Sequence, residues 1–169
     1  MAIRLEPFGE RHLGALEEML DDPDLLRFTR VPEPVPPRFA RTWLDRYEEG
    51  RRDGSRDAFA IVDEDGGFLG LALAPRIERD ARTAELGYVV APAARGRGVA
   101  SEALRQLTDW AFDDLGLFRL ELMISVENAA SRRVAESCGY VREGVLRSLH
   151  VKQDLHEDTE IWSRLATDS

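Results

Sequence analysis

The sequence predicts an α/β (α+β) domain in which helices pack on a mixed sheet. Short stretches of alternating apolar and polar residues recur along the chain and read as strands. Two of them flank the turn Glu64-Asp65-Gly66-Gly67, which makes a hairpin. Others are separated by helical stretches, which makes strand–helix–strand crossovers.

In order, Ile3 and Leu5 alternate with Arg4 and Glu6 as a first strand, and Pro7 to Glu10 turns the chain. Leu13, Leu16, Met19 and Leu20 follow at helical spacing, and Asp21-Asp22-Pro23 ends that helix because the residue before proline avoids the helical region. Prolines 32, 34, 36 and 37 make an extended loop. A second helix runs from Arg38 to Arg52, with Phe39, Trp43 and Tyr47 stacked four apart, either as core packing or as the wall of a pocket. Ala58–Val62, Phe68–Ala74 and Thr83–Val90 form a three-strand meander. A helix from Val99 to Leu115 stops at Gly116, and a strand spans Phe118–Val126. Asn128 starts a helix that reaches Ser137 and leaves through Gly139; Tyr140–Leu146 and Thr159–Leu165 are the last two strands.

The 169 residues suit a single domain over 1–169, long enough for a hydrophobic core without metal or disulfide staples. The formal charge of −9 argues against nonspecific binding to nucleic acid or an anionic membrane and mildly favours a cationic partner. Cys138 is the sole cysteine, so no internal disulfide and no cysteine-based metal site is expected. His12, His150 and His156 lack metal-ligand spacing, and no metal is expected. No apolar run approaches the roughly 20 residues of a membrane span, and the N-terminal residues lack a signal-peptide core, so the expected location is cytoplasmic.

The most informative segment is Arg95-Gly96-Arg97-Gly98-Val99-Ala100, between a strand and a helix. A diphosphate needs several converging donors. Amides at a helix N-terminus supply them, and glycines allow close approach of the main chain. Arg95 and Arg97 add positive charge in an acidic chain. The segment lacks the third glycine of a dinucleotide fingerprint and the Gly-Lys-Ser/Thr of a Walker loop. Alone, it is equally consistent with an ordinary strand-to-helix loop.

Arg95-x-x-Gly98-x-Ala100 resembles the Arg/Gln-x-x-Gly-x-Gly/Ala motif of GNAT acetyltransferases. Ala84-Glu85-Leu86-Gly87-Tyr88-Val89-Val90 looks like that family's fourth strand. Asn128-Ala129-Ala130-Ser131, Gly139-Tyr140 and Glu143-Gly144-x-Leu146-Arg147 resemble the RimJ/RimL ribosomal-protein branch. The resemblance implies the GNAT fold: a mixed, mostly antiparallel sheet of six to seven strands, splayed between strands 4 and 5, with about four helices.

It further implies that acetyl-coenzyme A lies in the splay as acyl donor. Its diphosphate would rest on Arg95, Gly96, Arg97, Gly98, Val99, Ala100 and Ser101, and its pantetheine would pair with Val89 and Val90 like an added strand. A strand amide would serve the acetyl carbonyl. Asn128 is both a natural N-cap and, by resemblance, a pantetheine contact. Glu85 is the candidate base that takes the amine's proton, or else a structural carboxylate; Ser131 is the candidate acid for the leaving thiolate. Many of these enzymes use a tyrosine acid in this helix, but Arg132 to Cys138 contains none. Arg132 and Arg133 either reach the coenzyme's phosphates or are solvated.

The implied reaction is direct transfer of acetyl to a primary amine, a protein N-terminus or a small cationic amine. The alternatives are transfer of a larger acyl group such as succinyl, or a non-catalytic acyl-coenzyme A sensor. A homodimer is plausible from the family. The acceptor would be held by Leu25–Arg52 and Arg147–Glu157.

Overall fold

In the computed structural model, which describes residues 2–168, seven strands form one sheet. They are β1 (Ile3–Pro7), β2 (Asp57–Asp63), β3 (Phe68–Glu78), β4 (Thr83–Val90), β5 (Arg119–Ser125), β6 (Val141–Lys152) and β7 (Leu155–Leu165), in spatial order β1-β2-β3-β4-β5-β7-β6. The helices are α1 (Leu13–Met19), α2 (Pro23–Phe28), α3 (Phe39–Asp53), α4 (Val99–Asp109) and α5 (Ala129–Ser137). A π-helical turn, Trp110–Asp114, extends α4 towards Gly116, whose φ of +65° makes the left-handed exit.

Two apolar layers clamp the sheet. On one face Leu104 and Leu107 of α4 and Ala135 of α5 pack on Leu86, Leu120 and Leu122. On the other, Leu16 of α1 and Trp43, Leu44 and Tyr47 of α3 pack on Ala58, Leu71 and Val89. Each fully buried leucine contributes roughly 1.5–3 kcal/mol to folding.

The feature that positions the site is where β4 and β5 stop pairing. They are parallel, and their register runs from Thr83↔Arg119 to Leu86↔Leu122. Beyond Leu86 they part, although β4 continues to Val90 and β5 to Ser125. A bulge in β3 lies beside the parting point, between the pairs Leu73↔Gly87 and Arg76↔Glu85. It contains Pro75, which has no N–H to give the ladder.

Beyond the sequence reading, β3 runs past Ala74 to Glu78, a fifth helix is present and the last hairpin is longer. Pro23 does end α1, but it also occupies the first turn of a further helix, α2, whose Leu25 N–H is capped by Asp22 Oδ2 at 3.0 Å. The last hairpin is longer than Tyr140–Leu146 and Thr159–Leu165. Its strands run to Lys152 and from Leu155, joined by Gln153 and Asp154, both at positive φ. β6, the outer strand, leaves Val141, Val145, Leu149 and Val151 exposed. Among the described residues, no helix is long and apolar enough to cross a membrane.

Candidate active site

The loop after β4 is shaped by two left-handed glycines. Gly96 and Gly98 both have φ of +76°, and Gly98 is the N-cap of α4. A Cβ built on either would meet nothing within 4 Å, so open space lies over the main chain. The first bond of α4 is from Glu102 N–H to Gly98 C=O at 3.1 Å. The amides of Val99, Ala100 and Ser101 precede it and have no acceptor within the helix. These N–H groups, with the positive end of the helix dipole, suit a diphosphate.

The arginines of this loop divide. Arg97 is exposed and makes no ion pair among the described residues. Arg95 is engaged elsewhere: its Nε donates to Val90 C=O at 3.1 Å and its guanidinium pairs with Asp22 and Asp24. Its amide donates to Pro92 C=O at 3.3 Å. Arg95 therefore staples the cradle to the N-terminus of α2 instead of offering free charge or a free amide.

The cleft edge of β4 belongs to alternate residues. Ala91 N–H donates to Leu69 C=O, and Val89 C=O abuts Gly70, so the peptide groups of Val89 and Ala91 face β3. By strand alternation those of Tyr88 and Val90 face the opened side. Val90 C=O already accepts from Arg95, which leaves Val90 N–H and both main-chain groups of Tyr88 as the edge an extended ligand would pair with. Val89 contributes its side chain to the wall, not its peptide groups to the edge.

Across the cleft, Asn128 caps α5 by accepting from Ser131 N–H at 3.2 Å, so its side-chain amide nitrogen remains available. The Tyr88 hydroxyl donates to Ser131 Oγ at 3.1 Å. Burial pushes the Tyr88 phenol up to about 12, with the Ser131 bond opposing, so it is a protonated donor throughout the neutral range. Tyr88 was not among the residues expected from the sequence. The tyrosine that meets α5 at Ser131 stands on β4. Period-2 alternation puts Tyr88 on the α5 face with Leu86, but the meeting with Ser131, 43 residues away, is a product of the fold. On the same helix Arg132 pairs with the buried Glu160, and Arg133 is exposed.

The cleft and the chamber below it form one cavity of about 670 Å³. Glu85, in the next-to-last pair before the strands part, lines it, as do Tyr88, Asn128 and Ser131. Glu85 accepts no hydrogen bond from the described side chains. Its register neighbour Glu121, in contrast, is held by Arg76 at 3.0 Å and Arg119 at 2.9 Å. Phe39, Trp43 and Tyr47 also line the chamber, with ring centroids 5.5 and 6.4 Å apart, so that stripe is both core and pocket wall. Burial pushes the Tyr47 phenol up to about 12. Segment α2 roofs the chamber and is tied down twice: Arg27 pairs with Glu157 at 3.3 Å, and Lys152 Nζ donates to Thr29 C=O at 3.2 Å.

The histidines have separate fates. His12 is buried as a structural link; Gly9 N–H donates to its Nδ1 at 3.0 Å, and its Nε2 meets Glu6 Oε1 at 2.9 Å. His150 lines the chamber, and burial, reinforced by nearby Arg30, pushes its pKa down.

Comparison with known proteins agrees with this geometry. Residues 2–141 match the family model described as an acetyltransferase (GNAT) domain. A probable N-acetyltransferase of Bacillus subtilis, YjcK, is 29% identical over 162 residues, covering 95% of this chain and 90% of that one. The ribosomal-protein-serine acetyltransferase of Escherichia coli is 30% identical over 66% of this chain and 62% of its own. The spermidine N(1)-acetyltransferase of Vibrio cholerae is 30% identical over 59% of this chain; the match spans only 58% of that protein's length. The putative ribosomal N-acetyltransferase YdaF of Bacillus subtilis is likewise matched over 55% of its length. Among solved structures, a ribosomal L7/L12 α-N-protein acetyltransferase, RimL, in complex with coenzyme A superposes with a TM-score of 0.90 at 20% identity, covering 98% of this chain and 94% of that one. The Vibrio cholerae spermidine N-acetyltransferase in complex with coenzyme A and spermine gives 0.87 at 22%, covering 98% and 96%. A parted β4–β5 pair, a glycine-shaped helix N-terminus beside it and a family match over most of the chain together make this protein an acyltransferase of the GNAT acetyltransferase family.

Proposed function

We propose that the chain transfers the acetyl group of acetyl-coenzyme A to a primary amine by direct attack within a ternary complex. The observation that carries this reading is the continuity of the opened β4 edge at Tyr88 and Val90 with Ala100, in the first turn of α4, and with the chamber below. The donor's diphosphate would be held by the amides after Gly96 and by Arg97, and its extended arm by Tyr88, Val90 and the free amide of Asn128. It supplies the acetyl group as an activated thioester.

The residues of the chain manage two protons. An ammonium has no lone pair, so the acceptor must lose one before it attacks. Glu85 lines the chamber without a fixed partner, and it takes that proton directly or through water. Ser131 Oγ accepts from Tyr88, which leaves its own hydrogen free to serve the departing sulfur; a proton from solvent restores Ser131 after coenzyme A leaves, and Tyr88 stays protonated. The cleft amide of Val90 or Tyr88 steadies charge on the acetyl oxygen.

Thiol release with an amine panel tests this reading, together with Glu85→Gln. General-base loss is worth about 10²-fold or more in turnover. The variant is expected to lose that much in kcat and the acid limb of its pH profile, with acetyl-coenzyme A affinity within twofold. Full activity at every pH would remove Glu85 from the mechanism. Tight donor binding with no thiol release for any amine would leave a sensor domain instead.

A further inference from the structure

We infer that the acceptor amine carries a carboxylate close to the nitrogen that is acylated, so that the natural substrate is an acidic amine and not a polycation. This deepens the transfer reading above and rests on it.

The chain as a whole is acidic, at −9, yet the chamber is lined by Arg27, Arg30, Arg46 and Arg56. Arg27 is neutralised there by Glu157, and Arg95, which also lines the chamber, by Asp22 and Asp24. Arg30, Arg46 and Arg56 form no ion pair among the described residues. The lining carboxylates are Asp24, which pairs with Arg95, Glu157, which pairs with Arg27, and Glu85, which has no cation bound. The unpaired balance is thus three cations against one carboxylate.

Arg56 is the most telling of the three. Its Nε is buried with no hydrogen-bond partner. A buried charged donor without an acceptor is costly, and a substrate carboxylate in the chamber would satisfy it. The position is built: the Arg56 stem lies against the main chain of Gly50 in α3, where any Cβ would collide with it. Arg46, Arg56, Tyr47 and Glu85 all line the same chamber, so the two guanidinium groups and the proposed base face one enclosed space. An acceptor with its amine towards Glu85 and its carboxylate towards Arg46 and Arg56 answers all three charges. Spermidine brings further positive charge to a site whose partners would be arginines, and like charges at close range oppose binding. A free acidic amino acid and an acidic peptide N-terminus present the same chemistry.

The test is thiol release with glutamate, with peptides beginning Ser-Asp-Glu, Ser-Asn-Gln and Ser-Lys-Lys, and with spermidine. The acidic acceptors are expected to exceed the neutral peptide in kcat/KM by about tenfold or more, mostly through KM, as for a desolvated charge contact. The preference should shrink at 0.5 M salt. Arg46→Gln, at an exposed position, and Arg56→Gln should drive the ratio towards one, while Arg56→Lys keeps part of it. Higher activity of glutamate than of the acidic peptide would identify the small-molecule source; the reverse would identify the peptide. If spermidine or the lysine peptide is preferred, this inference falls while acetyl transfer stands. If no amine releases thiol, transfer itself falls, and calorimetry on the coenzyme A-bound protein decides the arginines. Acidic-peptide binding lost in Arg46→Gln supports the charge reading, and no such binding overturns it.

Discussion

Tyr88 and Ser131 are joined by a 3.1 Å hydrogen bond that spans the cleft between β4 and α5, just where the sheet opens. With Tyr88 donating, the Ser131 hydroxyl hydrogen is left free of that bond. Tyr88→Phe is expected to lower kcat about tenfold, at the lower end of general-acid contributions, with donor affinity within twofold. Ser131→Ala should do the same. If the two act as one unit, the double variant should be no worse than the poorer single. Additive losses, or a purely structural fall in melting temperature, would separate them.

Gly50→Ala addresses the acceptor wall without touching a charge. The new methyl would occupy the space of the Arg56 stem. Overpacking of this kind costs about 1–3 kcal/mol. The variant should melt lower and lose acidic-acceptor preference together. A normal preference at reduced stability would show that Arg56 does not reach the substrate.

Gly98→Glu should abolish donor binding, because it sets bulk and negative charge over the cradle amides. Gly98 has φ of +76°, so any side chain there is strained. Gly98→Ala is the control for that strain, and its Cβ meets nothing within 4 Å. Calorimetry with acetyl-coenzyme A should show binding in the alanine variant, weakened by less than the complete loss expected for glutamate.

Glu143 on β6 reaches over β7 to Arg119 on β5, at 2.8 Å, and accepts from Ser163 Oγ at 2.7 Å. The Arg119 bonds, then the serine, hold its carboxyl down from 4.5 to about 2. Its folded value is below its unfolded one, so this stability is present above about pH 5 and is lost as pH falls towards 2. The side chain is 40% exposed, so solvent screening limits the contribution to about 1 kcal/mol. Urea titrations at pH 7, pH 4 and pH 3 should show Glu143→Gln less stable than the parent at pH 7, by a margin that narrows steadily as the pH falls.

What the sequence made legible follows from how local each signal is. Alternation in Thr83–Val90 and the glycines at 96 and 98 are local, and they located β4 and the helix entry. Pro23 was legible as a stop but not as a start, because the same residue that ends one helix suits the first turn of the next. The reach of β6 and β7 was hidden because their turn, Gln153-Asp154, takes positive φ without a glycine to announce it. Most of those extra residues fall in Arg147–Glu157, the segment the sequence assigns to the acceptor. At the site, strand position placed Glu85 beside the opening, whereas the Tyr88–Ser131 bond and the unpaired arginines needed contacts between distant segments. Strand phase also decides which peptide groups are free. It assigned the cleft edge to Tyr88 and Val90 and turned Val89 towards β3.

A crystal structure of the protein with acetyl-coenzyme A bound tests the central claim most directly. The expected result is a diphosphate on the amides of Val99, Ala100 and Ser101, with the pantetheine paired to Tyr88 and Val90 between β4 and β5. A ligand seated elsewhere, with the Gly96–Ser101 loop making no contact to it, would contradict the account.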